Sequence, residues 1–109
     1  MDERVSIVRY IVEKHARQKW PGIEYESFRI IEQSTRHHLV LECRFYNPAT
    51  DYHGALTFFL DDLLPKQMPE RDSEEWKPAM VSAFEAIAAR VDVLLSDLSR
   101  VPHPAGAID

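Results

Sequence analysis

A chain of 109 residues, 45% hydrophobic and 28% charged, has the make-up of one globular domain, which excludes intrinsic disorder and low-complexity polymers. The formal net charge is −5, and the 13 Lys and Arg residues are spread singly, so no basic cluster offers a phosphate footprint and anionic membranes are disfavoured. One cysteine, Cys43, rules out an internal disulfide and a multi-cysteine metal site, and it points to a reducing compartment.

The first twenty residues carry charges throughout, unlike a secretory signal peptide. No apolar run approaches the ~20 residues that span a bilayer. A cytoplasmic location is the expectation.

Residues 2–19 read as an amphipathic helix with Val5, Val8, Ile11, Val12, His15, Ala16 and Trp20 on one face. Asp2 and Glu3 suit its positive end, and Lys14, Arg17 and Lys19 its negative end. Trp20-Pro21-Gly22 stops it, because proline cannot continue a helix.

Residues 23–33 are rich in β-branched and aromatic side chains, and the alternation slips between Tyr25 and Phe28, which suggests a bulge near Ser27. Residues 36–46 alternate cleanly. Leu39, Leu41, Cys43 and Phe45 share one face; His38, Val40, Glu42, Arg44 and Tyr46 share the other. A proline turn at residues 47–51 leads to a third strand over residues 52–60. There Tyr52, Leu56, Phe58 and Leu60 oppose His53, Ala55, Thr57 and Phe59.

Residues 61–72 hold Pro65 and Pro69 among acids and read as a surface connection with a short turn at its start. Asp72 and Glu75 have capping-box spacing. Either residues 73–76 form a separate turn, or Pro78 opens the last helix. That helix, residues 78–98, carries Met80, Val81, Phe84, Ile87, Ala88, Val91, Leu94, Leu95 and Leu98 in one stripe roughly 140° wide. The sheet and the first helix are expected to cover it, with one alternative: a helix that outruns a short sheet leaves its Leu94-Leu95-Leu98 end for a partner. Residues 101–109 have no periodicity and read as a loose tail after a single domain of residues 1–100.

The order helix, three-stranded antiparallel meander, long helix defines an α+β two-layer sandwich. This order resembles the double-stranded-RNA-binding domain over residues 5–98. Tyr25 stands where that family opens its first strand, and His37 or His38 matches its hairpin histidine. The resemblance implies the fold and, by topology alone, an RNA-binding alternative. The family grips phosphate with lysines at the start of its last helix. Here that place reads Glu70-Arg71-Asp72-Ser73-Glu74-Glu75, which repels phosphate.

Chemistry-bearing residues are sparse. His38, His53 and Glu42 on one sheet face allow a two-histidine, one-carboxylate metal site as an alternative, although ordinary surface histidines are commoner there. His15 reads as a satisfied histidine at the core edge. Cys43 alternates with core residues and is inert if buried. The acidic pairs Asp61-Asp62 and Glu74-Glu75 are sequence neighbours, and such runs are mostly solvated. The three glycines (Gly22, Gly54 and Gly106) are far apart, so no phosphate loop exists, and there is no Gly-x-Ser-x-Gly elbow. Neither catalysis nor a cofactor nor a resident metal is expected.

The expected function is therefore that of a small acidic non-catalytic binding protein of inhibitor, immunity, anti-defence, adaptor or chaperone type. It occludes a protein partner's surface and pairs as a homodimer. The expected anchors are Tyr46, Phe59, Arg44, Val40 and His53 on the open sheet face. Asp61, Asp62, Glu70, Asp72, Glu74 and Glu75 would attract a basic partner surface.

Overall fold

The computed structural model of the protein describes residues 2–32 and 39–100. Helix α1 spans Glu3–Lys19, strands β1, β2 and β3 span Glu24–Glu32, Leu39–Asn47 and Tyr52–Phe59, and helices α2 and α3 span Leu60–Leu63 and Trp76–Leu98. The antiparallel sheet has the order β1-β2-β3. The fold is α+β with the helix, meander and long helix in the expected order. No helix among the described residues is long and apolar enough to cross a membrane. Residues 33–38, with His37 and His38, and the tail lie outside the described residues.

Asp2 caps α1: its Oδ1 accepts the Arg4 backbone N–H at 3.0 Å. The helix buries Val5, Val8, Ile11, Val12 and Ala16, the apolar positions that recur at helical spacing. The Trp20 N–H closes the last turn onto Ala16 at 2.8 Å, and Pro21 then prevents continuation. Arg4 is buried at the start of α1. Its guanidinium donates to Asp2, to Asp61 at 2.9 Å and to the Leu64 carbonyl at 3.1 Å. One side chain thus ties α1 to the connection after β3.

The β1–β2 register shifts between Tyr25 and Ser27, the bulge anticipated near Ser27. Beyond it, cross-strand rows set the two faces. Ile30–Leu41–Phe58, Phe28–Cys43–Leu56 and Tyr25–Phe45–Gly54 face the helices. Leu41, Cys43, Phe45 and Phe58 are fully buried there. Gly54 matters for close approach: a Cβ there would stand 2.8 Å from Leu94 Cδ1 and 3.1 Å from Leu98 Cδ2. The α3 leucines rest directly on that strand.

The β2–β3 turn also caps α3. The side chains of Asn47 and Thr50 both donate to the Leu98 carbonyl, at 2.9 and 2.7 Å, satisfying an otherwise orphan acceptor. Asp51 closes the turn in the left-handed region, which a short polar side chain tolerates.

The start of α3 departs from the expected capping box. Ser73 bonds to the Glu70 carbonyl through both its N–H and its hydroxyl, and the Trp76 N–H bonds to Ser73. Glu75, not Asp72, is the N-cap, with helical backbone and no side-chain cap bond. The turn at residues 73–76 runs straight into the helix. Pro78 sits at the third helical position, where its missing N–H belongs to the orphan set in any case. The first helical bond is Ala79 N–H to Glu75 O, at 3.3 Å.

The α3 stripe is covered only in part, and the uncovered part is its N-terminal half rather than the Leu94-Leu95-Leu98 end. Ala83, Ile87, Ala88, Val91, Leu95 and Leu98 are buried, but Val81 is 47% and Phe84 45% exposed. In the N-terminal half of α3 the small Ala83 enters the core. Phe84 is turned toward α1, where the His15 ring meets it edge-on at 5.7 Å.

Candidate functional site

The open sheet face carries the anchors expected from sequence, but in separated pieces. At one end Ile31, Val40 and Phe59 form a row. Phe59 is 47% exposed, whereas Val40 is 1% exposed and offers no surface. At the other end Tyr46 stacks on His53 at 4.4 Å, donates to Asp51 at 2.8 Å, and leaves His53 Nδ1 3.3 Å from Glu26. Val40 and Tyr46 are six residues apart, roughly 20 Å along the strand.

A charge clamp lies between these ends. Glu42 is buried and accepts from Arg29 Nε at 2.9 Å and Arg44 Nε at 3.1 Å. Burial pushes its carboxyl up, but the two guanidinium hydrogen bonds outweigh that and hold it below the usual carboxylate value. Arg44 therefore has its charge engaged while half its side chain stays open to solvent.

That clamp bears on the metal alternative. Glu42 pairs across the sheet with Thr57, four residues from His53, so the two are roughly 13 Å apart along the strand. They cannot share an ion, and His38 lies outside the described residues. Among the described residues no group of three metal-ligating side chains converges. Cys43 is fully buried, and that burial pushes its thiol up to about 12, which keeps it protonated and unreactive.

The acidic residues occupy two settings. Asp61 is held by Arg4 and lies 3.8 Å from Lys66. Asp62, Glu70, Asp72, Glu74 and Glu75 are exposed, the last four beside the start of α3. Arg71 stacks over the Trp76 ring at 5.8 Å, so the acidic approach ends on an aromatic residue.

That aromatic residue opens a groove that sequence reasoning did not identify. Tyr10 and Ile11 of α1 and Trp76, Met80, Val81 and Phe84 of α3 line a trough of about 590 Å³, with Lys77 and Glu85 at its rim. Tyr10 is 62% exposed, and Lys14 Nζ stands 5.5 Å from the centre of its ring. Two signals for it were present in the chain. Tyr10 falls outside the buried face of α1, and the α3 stripe gathers both Val81 and Phe84 at its N-terminal half, wider than one sheet contact needs.

The two helices are fastened farther along, beyond the groove. Asp92 accepts from Lys19 at 2.8 Å, from Trp20 Nε1 at 3.0 Å and lies 2.8 Å from His15 Nε2. Burial raises the Asp92 carboxyl, yet the hydrogen bonds from Lys19, Trp20 and His15 prevail and lower it to about 2. His15 is thus a partnered histidine at the core edge, as its place on the apolar face suggests.

Comparison with protein-family models, with curated proteins and with solved structures returns no match.

Proposed function

We propose that the chain is a small acidic, non-catalytic binding protein that acts by protein–protein contact. The observation that carries this reading is the α1–α3 groove. A monomer's exposed apolar residues are ordinarily scattered singly. Here three aromatic residues (Tyr10, Trp76 and Phe84), an isoleucine, a methionine and a valine are gathered in one concave strip. Aromatic residues and methionine are enriched in the buried centres of interfaces, where desolvation gives most of the affinity.

The mechanism is occlusion. The groove supplies a desolvated contact centre, and the separate acidic run of Glu70, Asp72, Glu74 and Glu75 favours encounter of the molecule with a cationic partner surface. The open sheet face, with Phe59, Arg44 and the Tyr46–His53 stack, is a second and more polar contact surface. Inhibitor, immunity, adaptor and chaperone roles all use this physics.

The test compares the two faces. Phe84→Glu should abolish association while leaving the far-ultraviolet circular dichroism unchanged, because Phe84 is already half exposed. Tyr46→Glu with Phe59→Glu should weaken it less. Association that survives Phe84→Glu intact would remove the groove from the account.

A further inference from the structure

We propose that the groove is covered by a second copy of this chain, with the two α3 helices antiparallel across a twofold axis at Val81. This rests on the reading of the groove as a contact surface and names its occupant. The argument comes from the charges on the rim. Lys77 and Glu85 are the two charged residues of α3 that flank the apolar strip. They stand four residues on either side of Val81, which places each about 6 Å along the axis and about 40° around it from Val81, in opposite senses, so that one lies on each flank. Neither forms an ion pair with another described residue of its own chain.

A twofold contact is isologous: residue i meets j, and j meets i. With the axis at Val81 and the helices antiparallel, Val81 meets Val81 of the second copy. Lys77 then comes level with Glu85 of the second copy and can reach it across the contact, and Glu85 likewise reaches its Lys77. Phe84 falls opposite Pro78, an exposed apolar residue. The parallel alternative sets Lys77 against Lys77 and Glu85 against Glu85 and is repulsive twice over. The charge pattern therefore selects one orientation, which is what rim charges do in interfaces. Tyr10 and Met80 border the same strip, so the pairing extends beyond the charge contacts into an apolar centre. The open sheet faces lie on the opposite side of each protomer and stay outward, free for a different partner.

Sedimentation equilibrium of the purified protein tests this. The wild type should self-associate as a dimer with a dissociation constant on the order of micromolar. Lys77→Glu and Glu85→Lys alone each place like charges in both symmetry-related contacts. Each should weaken the dimer about tenfold. The double variant restores both pairs and should recover wild-type affinity within about threefold. An equimolar mixture of the two single variants should also associate more tightly than either alone, because every contact between unlike chains is then complementary. A wild type that stays monomeric at about 100 μM, or a dimer indifferent to both single reversals, overturns the pairing. If the wild type is monomeric yet Phe84→Glu abolishes capture of another protein, the self-pairing falls while the groove keeps its contact role. If Phe84→Glu changes neither, both readings fall.

Discussion

Asp92 joins α1 to α3 through three donors, and its depressed carboxyl makes stability depend on acid pH. A group whose folded pKa lies below its unfolded value stabilises the fold above the unfolded value, here 3.8. That contribution is lost as pH falls through the folded value of about 2. Asp92→Asn should therefore lower the unfolding midpoint at pH 7, and its deficit against wild type should shrink between pH 4 and pH 2. A deficit constant across that window would remove Asp92 from the linkage. Arg4 is the second such residue. With its guanidinium buried against Asp2, Asp61 and the Leu64 carbonyl, Arg4→Ala should cost about 3 kcal/mol in chemical denaturation. The low end of the range for buried pairs applies because both carboxylates keep partial contact with water. Neither role was legible in the sequence. Asp92 lies off the apolar stripe of α3 and reads as a solvated charge; only the packing of α1 beside it brings Trp20 and His15 within reach. Arg4 in the first turn of a helix reads as an unremarkable surface cation.

At the scale of elements, period-2 alternation assigned both faces of β2 and β3 correctly, because a half-buried strand has no other way to place its apolar set. The same logic located the bulge where the alternation slips. Val40 escaped it: alternation assigns a face but not its cover, and Val40 is 1% exposed on a face read as open. The long helix was legible in its body and not in its first turns. Treating Pro78 as the opening residue ignored that any of the first positions lacks an acceptor for its N–H. Two predictions follow from the uneven cover of α3. Ile87→Ala should cost about 2–5 kcal/mol, as fully buried aliphatic truncations do, while Phe84→Ala should cost less than about 1.5 kcal/mol. Equal losses would mean that the groove is closed in the free protein. At the other end, Asn47→Ala removes one of two donors to the Leu98 carbonyl and should destabilise by about 1 kcal/mol in urea.

For the whole molecule, chain order and amphipathic pattern led directly to a two-layer α+β sandwich, because two one-sided helices and a three-stranded meander have few other ways to bury their apolar faces. They did not lead to the groove. A stripe of helical period shows how much apolar surface must be covered; it does not show how that surface is divided between sheet, neighbouring helix and solvent. The division depends on the rotation of α3, on the small Ala83 that enters the core in place of Phe84, and on the Asp92 fastening that holds the helices at a point beyond Phe84. Sequence patterning therefore directed attention to the open sheet face. There the buried Glu42 carboxylate, clamped by the exposed Arg29 and Arg44, separates the aromatic ends and makes the surface less continuous than alternation implied.

The proposed contact through the groove between α1 and α3 is open to fluorescence-detected sedimentation, with the wild type and Phe84→Glu each followed alone and in host lysate. The wild type should sediment faster than a 12.7 kDa monomer and Phe84→Glu as that monomer. A wild type that remains a 12.7 kDa monomer in both settings, or a variant that sediments as the wild type does, would mean that the groove makes no such contact.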